Sequence, residues 1–179
     1  SKTKGNINLW EPDHQGFDSS MLDQVADLCG DCDLLGFSVL TLYYYESSKV
    51  CDYLKAKLNV PVIWGGIHSM IRPEECMAHA DIVAFGESED TLLEVVQKLE
   101  RKQPLSGVQG IWFKDSTGQI VKNPTRQPSS NLDQYPPPDH SMKDHHIFYD
   151  GKVQPLTQKM YMEKGRGHYM TICVRGCAM

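Results

Sequence analysis

Apolar residues along the first hundred positions alternate between strand-like and helix-like spacing. Strand-like runs cover Ile7 to Trp10, Leu34 to Leu42, Val60 to Trp64 and Asp81 to Phe85. The run from Leu34 is almost continuously apolar, which is typical of a strand that is buried on both faces. Four short strands are therefore predicted in this part of the chain.

Helix-like spacing fills the segments between these runs. One helix is predicted after Asp18-Ser19-Ser20, whose side chains can cap it, and others over residues 47–58, from Pro73, and from Asp90 or Thr91 to Arg101. Strands that alternate with helices pair in parallel through right-handed crossovers, with helices on both faces of the sheet. The pattern predicts an α/β fold with a doubly wound parallel sheet over residues 1–104.

The pattern changes after residue 104. Two alternating runs flank a turn at Asp115 to Gly118, which predicts a β-hairpin over residues 105–124. Residues 124–140 hold five of the ten prolines, so residues 125–170 are predicted to form an extended, semi-rigid linker. The hairpin and the linker are therefore expected to be appended to the sheet domain.

Composition narrows the classes of partner. The net charge is −5 and no basic block is present, which argues against nucleic acid as a partner. No apolar run approaches the roughly 18 residues of a membrane span, and residues 1–20 lack a signal-peptide pattern. The six cysteines are consequently expected to be reduced thiols or metal ligands, and the cytoplasm is the expected compartment.

Three of the predicted strands lead into loops that contain glycine. These loops include Gly36-Phe37-Ser38, Gly65-Gly66 and Gly86-Glu87. In open α/β sheets ligands bind at the carboxyl ends of the strands, and glycine lets the backbone approach a large ligand. Ser38 and Thr41 add small hydroxyl donors. The alternative is that each glycine only makes a tight strand-to-helix turn.

Four motifs in these loops and helices resemble one family in their order and spacing. They are Gly-Phe-Ser-Val-Leu-Thr from Gly36, Trp-Gly-Gly-Ile-His from Trp64, Pro-Glu-Glu-Cys from Pro73 and Phe-Gly-Glu-Ser-Glu-Asp-Thr-Leu-Leu-Glu from Phe85. The family is the cobalamin-binding domain that precedes the catalytic barrel in cobalamin-dependent radical S-adenosylmethionine (SAM) enzymes. The resemblance runs from about residue 20 to the end of the chain and implies a flavodoxin-like, Rossmann-like fold.

This resemblance implies cobalamin-binding residues in all three loops. Those of the first loop would line the lower side of the corrin ring and its nucleotide tail, and those of the second would border the tail or the corrin edge. Those of the third would close the tail pocket and begin the last helix. In chain order they are Ser38, Leu40, Thr41, Leu42 and Tyr43, then Gly65, Gly66, Ile67 and His68, then Gly86, Glu87 and Glu89.

The last residues resemble the start of the radical SAM cluster motif, in which three cysteines hold a [4Fe–4S] cluster. Arg-Gly normally precedes the first cluster cysteine, so the resemblance identifies Cys177 as that metal ligand; a register that begins at Cys173 is the alternative. Residues 171–179 would then begin a truncated radical SAM domain. The cluster, SAM and catalysis are expected only in a full-length protein, and this fragment is expected to be inactive.

Two features depart from related cobalamin proteins. Cobalamin mutases and methionine synthase ligate cobalt through a histidine in an Asp-x-His-x-x-Gly loop, whereas Asp13-His14-Gln15-Gly16 has a different spacing. We interpret His14 as a surface residue and leave axial ligation of cobalt open. The family also has five parallel strands, and four are predicted here, which leaves open whether its first strand and helix are missing.

Other candidate sites have simpler interpretations. Cys29 and Cys32 have the spacing of half a zinc site, but packing is favoured because no second pair has suitable spacing. The histidines between residues 140 and 146 are interpreted as part of a solvated linker rather than as a metal site. Glu87 and Glu89 are two residues apart, which favours capping and binding over acid–base catalysis.

The resemblance implies the cobalamin-binding domain of a radical SAM enzyme. In such enzymes a radical derived from SAM activates a substrate carbon, and cobalamin commonly donates a methyl group; some relatives perform oxidative cyclisation. The expected partners are cobalamin and the radical SAM barrel of the same polypeptide. The alternative is a non-catalytic receiver-like or flavodoxin-like α/β binding module with the same architecture.

Overall fold

The computed structural model describes residues 6–8, 17–137 and 141–165, with side chains over 17–137 and 141–163. The described residues fall into two compact units. Residues 17–137 belong to the first unit, and residues 6–8 and 141–165 belong to the second. The first unit contains all three glycine-containing loops, so it carries the candidate site.

Strands and helices alternate through most of the first unit. The strands of the described chain are β1 (Asn6–Asn8), β2 (Leu35–Ser38), β3 (Val62–Gly65), β4 (Ile82–Ala84), β5 (Ile111–Lys114), β6 (Ile120–Lys122), β7 (His145–Tyr149) and β8 (Lys152–Pro155). The helices are α1 (Ser19–Cys29), α2 (Tyr44–Lys57), α3 (Ile67–Ile71), α4 (Pro73–His79), α5 (Glu89–Glu100) and α6 (Gln158–Gly165). As expected, Asp18 caps α1, because its carboxylate accepts a hydrogen bond from Met21 N at 2.8 Å.

The sheet of the first unit has the strand order β2-β3-β4-β5-β6. β2, β3 and β4 run parallel to one another, and the β5–β6 hairpin joins β4 in antiparallel orientation. The predicted α/β sheet with a β-hairpin is therefore confirmed. The hairpin extends the sheet instead of forming a separate appendage, since Ile111 of β5 pairs with Ala84 of β4.

Helices cover both faces of this sheet, as a doubly wound fold requires. On one face Ile63 packs in a buried cluster with Val95 of α5. On the other face Trp64 is fully buried, and its ring centroid lies 6.2 Å from that of Tyr44 in α2 and 5.7 Å from that of His79 in α4. β3 is thus buried on both faces, which accounts for its continuous apolar sequence.

The second predicted strand is shorter than its apolar run. β2 ends at Ser38, and Thr41–Tyr43 form a 3₁₀ turn. The expectation that this run is buried on both faces is wrong, because Gly36, Ser38, Leu40 and Leu42 are exposed. Among the described strands of the first unit, β2 lies at one edge of the sheet. The apolar residues beyond β2 therefore belong to a surface loop.

The second unit is a small sheet with the strand order β1-β7-β8. β1 is parallel to β7, and β7 is antiparallel to β8. The described part of the strand predicted from Ile7 to Trp10 therefore pairs with β7 in this small sheet. Residues 145–165 were expected to be extended linker, but they form two strands and a helix and include the buried Phe148. In the described part of the chain, no helix is long and apolar enough to cross a membrane.

Cys51 of α2 is fully buried, with its Sγ 3.7 Å from His79 O. Burial raises the pKa of the Cys51 thiol to about 11, so roughly one thiol in a thousand is ionised at pH 8. We expect iodoacetamide at pH 8 to leave Cys51 unmodified in the folded chain and to modify it in concentrated urea, as measured by mass spectrometry of tryptic peptides. The half-buried Cys32 is the internal comparison. Equal rates at Cys51 and Cys32 in the folded chain would contradict this prediction.

Candidate functional site

Two loops at the carboxyl end of the sheet are joined through their backbones. Val39 N, just after β2, donates to Gly65 O at 2.8 Å, and His68 N, in α3, donates to Val39 O at 3.0 Å. Gly66 lies between these contacts with φ of 90°, and a Cβ there would lie 2.7 Å from Val39 N and 2.8 Å from Val39 O. Only glycine fits this position. We call residues 39–43 and 65–68 the joined loops.

The joined loops expose large apolar side chains. Leu40 is 51% exposed, Leu42 is 79% exposed and Ile67 is 46% exposed. Thr41 lies between the two leucines in sequence and is also exposed, and Tyr43 is half-buried. Exposed apolar side chains that gather at the carboxyl ends of parallel strands indicate a binding surface.

Small residues lie at the carboxyl ends of the strands next to this surface. Ser38 pairs with Gly65 in register, and both lie on the face of the sheet that carries Ile63, since residues two apart in a strand share a face. No atom lies within 4 Å of the place that a Cβ would take at Gly65, and the same holds at Gly86 after β4. We call Ser38, Gly65 and Gly86 the glycine groove, where a narrow group has room to lie.

The side chain of His68 is buried beneath this surface. It is 3% exposed, and its ring packs against the Tyr44 ring with centroids 4.5 Å apart. Its Nδ1 lies 3.2 Å from Thr41 Oγ1, and its Nε2 lies 3.6 Å from Glu75 Oε2. His68 was expected to border a ligand. Its side chain is buried against Tyr44 and lies next to Thr41, and its contact with a ligand stays a prediction.

Tyr44 and Glu75 are the residues at this site that the sequence analysis missed. Glu75 belongs to the Pro73–Cys76 motif, which supported the family resemblance without giving a role to its carboxylate. In the sequence, this motif was the one signal that could have pointed to Glu75. Sequence spacing alone does not show that Glu75 faces His68, because a break at Arg72 separates α3 from α4.

The loop after β4 is held by the hairpin. Phe85 N donates to Gly110 O at 3.0 Å, and the fully buried Thr91 hydroxyl in the first turn of α5 donates to Gln109 O at 3.2 Å. A Cβ at Gly110 would lie 2.9 Å from Thr91 Oγ1, so this contact also needs glycine. The hairpin therefore fixes where α5 begins, which the sequence analysis did not foresee.

The predicted residues of this third loop surround the start of α5. Gly86 has φ of 84°, Glu87 is half-buried, and Glu89 is the exposed first residue of the helix. Carboxylates in the first turn of a helix interact favourably with its dipole. The loop therefore combines open space at Gly86 with negative charge at the helix end.

Metal-ligating side chains do not gather in the described part of the chain. No group of three His, Cys, Asp or Glu residues there could hold a metal ion. Cys177, Cys173 and His14 lie outside the described residues. Cys29 is buried, and burial together with the neighbouring Cys32 thiol raises its pKa to about 11. Because zinc binds thiolate, this environment supports the packing interpretation of Cys29.

Residues 9–96 match the family model described as the B12 binding domain. The chain is 31% identical over 116 residues to an uncharacterised methyltransferase of Pyrococcus horikoshii, a match that covers 63% of this chain and 25% of the relative. It is 32% identical over 77 residues to bacteriochlorophyllide d C-8(2)-methyltransferase of Chlorobaculum tepidum, covering 41% of this chain and 17% of the relative. The chain thus spans a quarter or less of the length of these relatives.

Two solved radical SAM enzymes have a similar fold. The radical SAM methyltransferase TsrM of Kitasatospora setae, with cobalamin and a [4Fe–4S] cluster bound, matches with a TM-score of 0.50 at 18% identity, covering 57% of this chain and 21% of TsrM. The cobalamin-dependent SAM radical enzyme OxsB matches with a TM-score of 0.51 at 19% identity, covering 62% of this chain and 16% of OxsB. The match to the B12 binding domain model therefore covers just under half of the chain, and the fold is the one found in cobalamin-dependent radical SAM enzymes.

Proposed function

We propose that the chain binds cobalamin across the joined loops and the glycine groove, as the cobalamin-binding domain of a radical SAM enzyme. One observation carries this proposal: exposed apolar side chains and unobstructed glycine Cβ positions occur together at the carboxyl end of one sheet. Cobalamin has a broad corrin ring with largely apolar faces and a long, narrow nucleotide tail. A site for both parts needs a flat apolar floor next to a channel.

The joined loops suit the corrin ring. Leu40 and Leu42 present apolar surface, and Thr41 adds a hydroxyl between them. Ile67, at 46% exposure, extends this surface toward α3. Burying these side chains under a corrin face would remove apolar area from water, which favours binding by about 25 cal/mol for each Å². In this proposal Leu40, Thr41 and Leu42 form the floor and Ile67 borders the corrin edge.

The glycine groove suits the nucleotide tail. The space at Gly65 and Gly86 is free of protein atoms within 4 Å of each Cβ position, so the tail can approach the backbone closely. Ser38 offers a hydroxyl at the end of β2, while Glu87 and Glu89 stand where the groove meets α5. Gly66 and His68 act indirectly, because they hold the joined loops in position.

When bound, cobalamin supplies a cobalt centre that can carry a methyl group. The residues of this chain bind the cofactor, orient its ring and keep water from the covered face. The two relatives named as methyltransferases support methyl transfer as the reaction of a longer protein, and oxidative cyclisation remains the alternative outcome. In that longer protein Cys177 would be the first ligand of a [4Fe–4S] cluster that binds SAM.

We also propose a catalytic partner and a cellular compartment for the chain. The radical SAM barrel of the same polypeptide would face the cobalamin and carry out catalysis, and the 179-residue chain alone would turn over no substrate. The described cysteines are free thiols, which suits a reducing compartment, and we place the protein in the cytoplasm.

Titration with hydroxocobalamin tests the proposed function. The chain is mixed with the corrinoid, desalted and examined by ultraviolet–visible spectroscopy, and we expect retained corrin bands at a stoichiometry near one. Flavin mononucleotide in a parallel sample is the control for a flavodoxin-like module, and its yellow absorbance should be lost on desalting. A chain that is folded by circular dichroism yet retains no corrin would overturn the proposal.

A further inference from the structure

Three side chains from different elements form a line beneath the proposed corrin floor. Glu75 of α4 lies 3.6 Å from Nε2 of His68 in α3, and Nδ1 of His68 lies 3.2 Å from Oγ1 of Thr41. His68 is buried, whereas Glu75 and Thr41 are both exposed. The line therefore runs from a solvated carboxylate, through a buried imidazole, to a hydroxyl at the surface of the site.

The charge of Glu75 selects the tautomer of His68. A neutral imidazole carries its proton on one nitrogen, and the nitrogen that faces a carboxylate is favoured to hold it. Nε2 is buried, makes no hydrogen bond within the described residues and lies 3.6 Å from Glu75 Oε2, so the carboxylate favours the tautomer with the proton on Nε2 and the acceptor at Nδ1. The opposite tautomer would direct a nitrogen lone pair at the carboxylate. In this tautomer Nδ1 accepts a hydrogen bond from the Thr41 hydroxyl, whose Oγ1 lies 3.2 Å away.

This arrangement fixes what Thr41 offers to a ligand. Its proton is directed down to His68, so the lone pairs of Oγ1 are left to face the site. Thr41 stands between the exposed Leu40 and Leu42, which cover apolar ring surface in the proposed function. A hydroxyl that would otherwise serve as donor or acceptor is thus held as an acceptor.

We propose that Thr41, with its hydroxyl oriented by His68 and Glu75, is a specificity-determining residue that accepts a hydrogen bond from a primary amide at the edge of the corrin ring. The proposal rests on the proposed cobalamin-binding function. Corrin side chains end in primary amides, whose N–H groups match an acceptor. A corrinoid with a carboxylate at the same position presents only acceptors at neutral pH and is rejected by Oγ1.

The test compares hydroxocobalamin with its singly hydrolysed monocarboxylic acid isomers at pH 7.5. Binding to the intact 179-residue chain is measured by absorbance titration. We expect one isomer to bind at least about tenfold more weakly than the parent, as the loss of one ligand hydrogen bond implies. The other isomers should bind within about threefold of the parent, because their changed side chains lie away from Thr41.

Three variants separate orientation of the hydroxyl from simple packing. Thr41→Val should weaken binding of the parent about tenfold and abolish the discrimination against the sensitive isomer. Thr41→Ser retains the hydroxyl and should restore both properties. Glu75→Gln can donate to Nε2 and thereby release the opposite tautomer, so it should reduce the discrimination while the parent binds nearly as well. A side chain with a merely structural role would not change this ratio.

The outcomes are distinguishable. If the folded wild-type chain binds neither the parent nor any isomer, the proposed function fails and this inference fails with it. If the wild-type chain binds all isomers as tightly as the parent, cobalamin binding stands and the inference alone is overturned. Unchanged discrimination in Glu75→Gln would also overturn it. Thermal unfolding by circular dichroism verifies that each variant is folded.

Discussion

Replacement of Gly66 by alanine is expected to lower the free energy of unfolding by about 2–4 kcal/mol. Gly66 has φ of 90°, in the left-handed region that L residues rarely adopt. The new Cβ would also lie 2.7 Å from Val39 N. Backbone atoms of Val39 cannot move aside without breaking the hydrogen bonds to Gly65 and His68. Urea denaturation followed by circular dichroism measures the change.

Gly65→Ala is the matched control for this prediction. It adds the same methyl group one residue earlier, where no atom lies within 4 Å. Its free energy of unfolding should stay within about 0.5 kcal/mol of wild type. Equal urea midpoints for Gly66→Ala and wild type would contradict the close backbone contact between Gly66 and Val39.

Gly65→Val is expected to weaken cobalamin binding by roughly ten- to hundredfold while stability is retained. Valine suits a strand position, and apart from the neighbouring residues no atom lies within 4 Å of the Cβ position. In the proposed function that space holds the nucleotide tail, so valine would compete with the tail, at about 1–3 kcal/mol. Absorbance titration with hydroxocobalamin gives the dissociation constant.

The control for this second prediction enlarges an exposed residue elsewhere. Ala56→Val adds bulk near the end of α2, at an exposed position far along the helix from the joined loops. Its affinity for hydroxocobalamin should equal that of wild type. Wild-type affinity in Gly65→Val, with the chain still folded, would remove the glycine groove from the binding site.

The sequence predicted the elements whose spacing reflects a simple division between core and solvent. α1 is the clearest case, because its apolar residues Met21, Leu22 and Val25 are all buried. The apolar run from Leu34 to Leu42 predicted a longer and more deeply buried strand than the structure has, for a physical reason. Leu40 and Leu42 are apolar but exposed, and in sequence a side chain that faces a ligand looks the same as one that faces the core. The predicted strand therefore ran past the end of β2 into an exposed apolar loop.

Partners that are distant in sequence were the second source of error. The turn at Asp115 to Gly118 predicted a hairpin. The residues around that turn do not indicate that β5 pairs with β4. The same limit applies to the environment of His68, whose side chain is 3% exposed. Its contacts with Tyr44 and Glu75 depend on how two helices pack. The individual cobalamin contacts of the three loops remain predictions.

The backbone contacts between the joined loops have a kinetic consequence. Backbone hydrogen bonds among Val39, Gly65 and His68 hold the two loops together, so in the proposed function little backbone entropy remains to be lost when cobalamin binds. Association is then governed by encounter and orientation instead of by slow loop rearrangement, and differences in affinity among corrinoids should appear mainly as differences in residence time.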